Sequence, residues 1–514
     1  MTGRRIVGPG RALAAAASAI VVLGLVAGCG SEPLPDELRP SPACRALGLD
    51  SDAGAPGARG VVFVLNDTMR RDALSLYGGR AATPRLDAFA KAHLAFDQTV
   101  SQAPWTKPAI ATLFTSLYPS QHRVESHPQL AGRAQGSDDA VEADVLAPSL
   151  ETLAETLQAS GVRTAAFVAN PWLVEPFGFE QGFEVYDSRF ARWGGRGEDV
   201  IEAGLRWLDQ IEEDERFFLY LHTIDSHRPY GRIPVDDLER TRARLNAGRP
   251  LPTREARQFA SRIRLEDGRF AKDVGFAPTD ALLREAYRRG VERFDALFGQ
   301  LLDGLASRPG LDARTAVIVT SDHGEALYER GWGNHGGALF EEDVRVPLFA
   351  RLPGVEPARG RIDCAVGLVD LMPTLCDYYG ASCPGDVQGW SLLADPAGAG
   401  SDRARYLVSE GVMERETDRS IRSGRYKLVR QPGASADGGD FTLYDLGADS
   451  AEQFDRLNQS TRAPEVDRAF EALRPALEAA VRPMPPPAHG SAPLDDDVRQ
   501  QLEALGYGEA PETR

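Results

Sequence analysis

Apolar positions along this chain fall into two kinds of run. Short, mostly apolar runs rich in β-branched and aromatic residues occupy Val61–Leu65, Arg163–Val168, Phe217–His222, Thr315–Thr320 and Val346–Arg351. Their near-continuous hydrophobicity predicts strands buried on both faces. Longer runs over Ser149–Ala159, Val200–Glu213 and Leu282–Leu305 space their apolar residues at a helical period, as amphipathic helices do. The two kinds alternate through the central region. That predicts an α/β domain with a mostly parallel sheet covered by helices on both faces. Residues 231–281 interrupt the alternation with many Arg, Asp and Glu and little apolar periodicity. Such an insertion reads either as a lid or substrate wall, or as a solvated surface helix. After the linker-like Asp395–Ser401, the stretches Arg405–Val408, Tyr426–Arg430 and Thr442–Tyr444 predict short antiparallel strands. Residues 471–514 predict one or two helices around a Pro-rich break, Pro483 to Pro487. No internal repeat is visible.

The N-terminus changes the picture of where the chain works. Arg4 and Arg5 precede an apolar stretch, Ala12 to Val26, that is too short for a confident membrane span. It runs into Leu25-Val26-Ala27-Gly28-Cys29, which resembles a bacterial lipobox with cleavage before Cys29 and lipid on its thiol. An ordinary signal peptide cut nearby is the alternative. Residues 1–28 are thus expected to be a lipoprotein signal peptide, and 29–58, with its Pro-, Ser-, Asp- and Gly-rich Ser31 to Ala55, a flexible tether. The expected location is exported and membrane-anchored. Gly30 after the cysteine favours the outer membrane, or a periplasm-facing position, in a Gram-negative cell.

Formal charge is −17 over 514 residues, and removing residues 1–28 with Arg4, Arg5 and Arg11 takes it to about −20. A basic face for nucleic acid is not expected. A polyanionic substrate then needs a metal to supply local positive charge. Four cysteines remain beyond Cys29. Cys376 and Cys383 are placed for a loop staple, which leaves Cys44 with Cys364; free buried thiols are the alternative.

Candidate chemistry sits where apolar runs end. Thr315–Thr320 is followed at once by Ser321-Asp322-His323-Gly324-Glu325, and Val61–Leu65 by Asn66-Asp67-Thr68. Carboxylates and an imidazole at the C-terminal ends of strands stand where α/β sheets hold ligands. Adjacent Asp322 and His323 can reach one divalent cation if Gly324 lets the backbone turn. Thr106, in Ala103-Pro104-Trp105-Thr106-Lys107-Pro108, precedes the apolar run Ile110 to Phe114. Its hydroxyl reads either as a helix N-cap or as a group held at a helix N-terminus beside an anion.

These and other stretches, in order, resemble the sulfatase family of the alkaline phosphatase superfamily. The resemblance is carried by Val64 to Asp72, Thr83-Pro84-Arg85-Leu86-Asp87, Ala103 to Pro108 and Leu117 to His122. It continues through Asp225-Ser226-His227-Arg228-Pro229-Tyr230, Ser321 to Glu325, His335-Gly336 to Val346-Pro347, Tyr426-Lys427-Leu428 and Leu443 to Leu446. It implies an alkaline-phosphatase-like, mostly parallel sheet sandwiched by helices over residues 59–395, a small antiparallel-sheet subdomain over 402–470, and a helical tail over 471–514. It implies that Asp67, Asp322 and His323 hold a divalent metal and that Thr106 is the nucleophile and touches that metal. His227 and His335 fall at positions that contact substrate or protonate a leaving group. Lys107 either supplies the positive charge of a missing motif arginine or is solvated. His227 and His335 with Asp225 are alternatively ligands of a second metal. His122 fits a structural motif.

The sequence departs from true sulfatases at the decisive point. They carry Cys or Ser in a Cys/Ser-x-Pro-Ser-Arg pattern, oxidised to formylglycine; here it reads Thr106-Lys107-Pro108-Ala109-Ile110. No formylglycine is expected. A threonine nucleophile instead resembles the phosphoryl-transfer branches of the superfamily. His323 favours zinc or manganese, with magnesium or calcium as the harder alternatives. The expected activity is hydrolysis of sulfate or phosphate esters, with phosphodiester or phosphonate ester hydrolysis, or phosphoryl transfer, preferred. The anionic ester substrate is expected to be an envelope lipid or glycan. The alternative is a catalytically weak, metal-bound binding protein that keeps the fold. Oligomeric state is not legible.

Overall fold

In the computed structural model the described residues are 38, 60–125, 142–191, 195–251, 261–354, 361–393, 405–411, 418–430, 441–481, 484–485, 487, 490–494 and 496–505. An eight-stranded sheet organises them. Its order is Arg361–Gly367, Leu94–Val100, Leu348–Arg351, Thr315–Thr320, Gly60–Asn66, Phe217–Thr223, Arg163–Val168 and Val185–Asp187. All pairings are parallel except those of Leu348–Arg351, which runs antiparallel to both neighbours. The central strand Gly60–Asn66 is buried at every position. Val61, Phe63 and Leu65 enter one apolar core; Val62 and Val64 enter the other. A strand covered on both faces needs apolar residues at successive positions, and this is the origin of the continuous runs.

Helices lie on both faces, as expected. The predicted Leu282–Leu305 helix is Asp280–Ala306, with Thr279 capping its start through the Leu282 amide. Ser149–Ala159 begins later, at Leu153, because Thr152 and Glu155 form a capping box. Val200–Glu213 is Gly197–Leu208. Residues 231–281 are more than a solvated helix: around Leu238–Asn246 they build a small core in which Ile233, Leu245, Ile263, Leu265 and Phe276 pack on Leu282 and Ala286 of the long helix.

A second sheet, in the order Leu407–Gly411, Asp418–Ser423, Tyr426–Arg430 and Phe441–Asp445, is antiparallel throughout. The helix Pro464–Ala479 covers it through Val466, Ala469, Leu473 and Leu477, so the boundary drawn at residue 470 falls inside an element. The tail then adds strand Gly490–Pro493, paired with Glu142–Val145, and helix Asp496–Ala504. Cys376 and Cys383 form a disulfide, and Cys364 is also disulfide-bonded; Cys44 lies outside the described residues. So do the expected signal peptide, residues 1–28, Cys29 and the expected tether apart from Leu38, which is buried in the core of the smaller sheet. No helix among the described residues is long and apolar enough to cross a membrane.

Candidate active site

Parallel strands place their C-terminal ends along one edge of the sheet, and the site is built there. Strand Gly60–Asn66 delivers Asp67. The chain then turns back through Thr68, whose φ of 61° lies in the left-handed region that β-branched residues rarely enter. Two hydroxyls hold the turn. That of Tyr287 donates to the Thr68 carbonyl (2.7 Å) and accepts the Arg70 amide (2.8 Å). That of Ser321 accepts the Met69 amide (2.8 Å).

The neighbouring strand Thr315–Thr320 delivers Asp322 and His323. Asp322 Oδ1 accepts the amides of His323 (3.0 Å) and Thr68 (3.3 Å), which fixes the carboxylate plane. Its Oδ2 and Asp67 Oδ1 are buried without a hydrogen-bond partner. These two atoms lie 3.4 and 3.5 Å from His323 Nε2. His323 Nδ1 donates to the Gly324 carbonyl (2.8 Å), so Nε2 presents its lone pair. Thr106 opens the buried helix Thr106–Thr115. Its hydroxyl is 3.2 Å from Asp67 Oδ2 and 3.3 Å from His323 Nε2. Trp105, not Thr106, is the N-cap, so the N-cap reading of Thr106 is corrected.

This donor set fits a divalent cation. Ligand atoms of Asp67, Asp322 and His323 lie within 4.8 Å of one another, the one such group among the described residues. Two orphaned carboxylate oxygens and an imidazole lone pair facing one point, away from water, are costly unless a cation joins them. The electrostatics agree. Burial raises the Asp322 carboxyl, and the charge of Asp67 raises it further. Burial opposes ionisation of Asp67 as well, yet His227, His222 and His323 hold it well below the usual carboxylate range.

Two further residues complete this shell and were not singled out from the sequence. Asn170 Nδ2 donates to Asp67 Oδ2 (2.6 Å) and approaches Thr106 Oγ1 (3.4 Å), while its Oδ1 accepts the Trp172 amide (2.8 Å). His222 Nε2 is 3.3 Å from the same Asp67 oxygen, and its Nδ1 is 3.0 Å from the Tyr220 hydroxyl. Both stand at the C-terminal ends of parallel strands, His222 on the neighbour of Gly60–Asn66 and Asn170 just past the strand beyond it, the positional signal that identified Asp67.

His227 and His335 are brought to the same place. Their rings are 5.1 Å apart, and that of His335 is 4.6 Å from His323. Glu325, buried, accepts from His335 Nδ1 at 3.3 Å and lies 3.5 Å from Arg228. Burial lowers His227 to about 4. Asp225 turns elsewhere: it pairs with Arg293 at 2.9 Å, and burial pushes it up to about 7. A second metal held by Asp225 with the two histidines loses its carboxylate.

Lys107 is not solvated. It is fully buried, with its ammonium 3.7 Å from the centre of the Phe177 ring and 5.4 Å from that of Trp172, and burial lowers it to about 7. Ile110, at the missing arginine's position, is buried in the apolar core. Gly324 serves differently from the expected turn. A Cβ there would meet the Glu342 carbonyl at 2.0 Å, so glycine is required for close approach of two backbones. His122 is buried between Thr112 and the Val124 amide.

The sulfatase family model matches residues 59–381, and a model for the C-terminal region of N-sulphoglucosamine sulphohydrolase matches residues 329–479. Arylsulfatase K of Mus musculus is 30% identical over 200 residues, which cover 37% of this chain and 34% of that enzyme. The N-acetylglucosamine-6-O-sulfatase of Bacteroides thetaiotaomicron is 24% identical over 478 residues, 76% of this chain and 81% of that one. A phosphonate monoester hydrolase of Agrobacterium radiobacter superposes with a TM-score of 0.61 at 19% identity, over 82% of this chain and 95% of its own. A protein solved with its substrate D-glucosamine-2-N,6-O-disulfate superposes at 0.63 and 19% identity, over 82% and 98%. With a family model spanning more than half of it, the chain belongs to the sulfatase family, ester hydrolases of the alkaline phosphatase superfamily.

Proposed function

We propose that this chain is a metal-dependent hydrolase of anionic esters in which Thr106 is the nucleophile, and that phosphodiesters and phosphonate monoesters are better substrates than sulfate esters. The carrying observation is the Thr106 hydroxyl, 3.2 Å from Asp67 and 3.3 Å from His323 beside the Asp67–Asp322–His323 cluster. Sulfatase-family enzymes use a divalent metal, and an imidazole beside two carboxylates favours zinc or manganese. When bound, the cation neutralises ester oxygens and lowers the pKa of a coordinated hydroxyl. Asp67 Oδ2 is placed to accept the Thr106 proton. The threonine oxygen then attacks phosphorus, the ester's alcohol leaves, and His335, or His227 once the substrate's negative charge raises it, supplies its proton. Water cleaves the resulting threonine ester in hydrolysis; a second alcohol does so in phosphoryl transfer. Threonine carries one hydrogen on its carbinol carbon and a methyl group beside it, so its oxidation gives a ketone and not formylglycine.

Relatives include a phosphonate monoester hydrolase and a protein bound to a disulfated glucosamine, which supports an anionic ester as substrate. Lipid on Cys29 would hold this activity at the cell envelope, close to phosphorylated lipids or glycans. The test uses the purified chain loaded in turn with zinc, manganese, magnesium and calcium. It is given aryl phosphodiester, phosphonate monoester and sulfate monoester substrates, beside Thr106→Ala and Thr106→Ser. Phosphoester turnover that is lost in Thr106→Ala and kept in Thr106→Ser is expected. Turnover that survives Thr106→Ala overturns the nucleophile. Metal-bound, folded protein with no turnover of any ester favours the binding-protein reading.

A further inference from the structure

The four-stranded C-terminal sheet grips the site at two points. Its first strand, Leu407–Gly411, holds the approach to the nucleophile: Ser409 Oγ donates to the Ser101 carbonyl (2.6 Å) and the Glu410 amide to that of Gln102 (2.9 Å). Four residues later comes Thr106. Its third strand, Tyr426–Arg430, carries Lys427, whose ammonium lies 3.2 Å from Glu341 Oε1 and 2.9 Å from Glu452 Oε1. Glu452 Oε2 in turn accepts the Glu341 amide (2.6 Å).

Glu341 opens the short turn Glu341–Val344. Carbonyls of that turn receive the amides that follow His323: Gly324 to Asp343 (2.7 Å) and Glu325 to Glu342 (3.0 Å). The contact has no slack, because a Cβ on Gly324 would stand 2.0 Å from the Glu342 carbonyl. Movement of Glu341 is therefore passed to the His323 loop. All three charged groups are buried, with Lys427 2%, Glu341 8% and Glu452 1% exposed. Burying them is costly where an apolar contact would dock the sheet as well. What a charged cluster adds is a fixed geometry.

We infer that Lys427 is a positioning residue for the metal loop, and that with Ser409 it makes the C-terminal sheet a clamp that sets where His323 stands relative to Thr106. The inference rests on a cation held by Asp67, Asp322 and His323, and it is independent of the substrate.

The test reads metal binding, not turnover. Zinc affinity of the full chain is measured by competition with a chromophoric chelator, and the visible spectrum of the cobalt(II) form reports ligand geometry. Lys427→Met with Glu452→Gln removes one charge of each sign. This pair is expected to bind zinc about 10- to 100-fold more weakly and to shift the cobalt bands, at a melting temperature near that of the parent. Lys427→Arg should restore most of both. Parental zinc affinity and cobalt spectrum in the folded pair overturn the inference. Should the pair fail to fold, Ser409→Ala decides, because it unpairs no charge: zinc binding weakened about threefold upholds the clamp, and parental affinity overturns it. Loss of zinc binding in the parent chain itself would instead remove the metal site on which the inference rests.

Discussion

At the scale of single residues, Asp67 is aimed by its neighbours. One of its oxygens receives Asn170 at 2.6 Å and faces His222 at 3.3 Å, which leaves the other free for a cation. Outer partners of this kind are worth roughly 10- to 100-fold in metal affinity or activity. Asn170→Ala is accordingly expected to lower kcat about 10- to 100-fold in the phosphoester assay, and His222→Phe to weaken zinc binding by a similar factor in the chelator competition. Asp67, Asp322, His323 and Thr106 were legible in the sequence because each interrupts or borders an apolar run. Asn170 and His222 were not, since an asparagine in a turn and a histidine closing a strand are ordinary until strand order sets them beside Asp67. Lys107 gives the sharpest residue test. Its ammonium is buried over Phe177 without a hydrogen bond, and burial lowers it to about 7. Lys107→Met keeps the volume and removes the charge. It should stabilise the fold by about 2–4 kcal/mol, read by urea unfolding at neutral pH. If the ammonium assists Thr106, kcat falls in the same variant; a stability gain with unchanged kcat makes it a packing residue only.

At the scale of elements, the runs that became central strands were readable because burial on both faces leaves no room for polar residues. Leu94–Val100 and Arg361–Gly367 escaped that reading. Each carries charge, and the Asp97 carboxylate is inside the structure because Arg361 meets it at 2.7 Å from the neighbouring strand. A tertiary ion pair overrides the local pattern there, and no single run contains both partners. The join between strand Phe217–Thr223 and the long helix Asp280–Ala306 depends on another such pair, Asp225 with Arg293 at 2.9 Å. Burial nonetheless prevails and pushes Asp225 up to about 7 from 3.8. The folded state therefore keeps a proton that the unfolded chain releases near pH 4. Its stabilising contribution is full below pH 4 and is lost as pH rises to about 7, by at most about 4 kcal/mol. Asp225→Asn cannot titrate. Chemical denaturation from pH 4.5 to 8 should show a steeper decline in the parent chain than in Asp225→Asn, and parallel curves would place the carboxyl's titration elsewhere.

At the scale of the molecule, the site draws on four parallel strands at once: Asp67, Asn170, His222 and Asp322 each follow or end a different one. A chain with a formal charge of −17 gathers two of its carboxylates in a dry centre, where they repel. A bound cation should therefore act as a staple across the sheet. At free metal 100-fold above its dissociation constant, linkage gives about 2.7 kcal/mol of added stability, which for a protein of this size moves the melting temperature by about 3 °C. The pH dependence has a definite sign. Without metal, burial and the charge of Asp67 raise the Asp322 carboxyl, so it keeps a proton into a less acidic range. Ligation needs the carboxylate, and binding must release that proton. Metal affinity should rise with pH, by up to about tenfold per unit, until pH passes the raised value, and then level off. Differential scanning calorimetry with and without zinc at pH 5.5 and pH 8 measures this directly. The zinc-induced shift should be larger at pH 8. An equal shift at both would mean that Asp322 has already given up its proton at pH 5.5, so that metal binding displaces none from it above that pH.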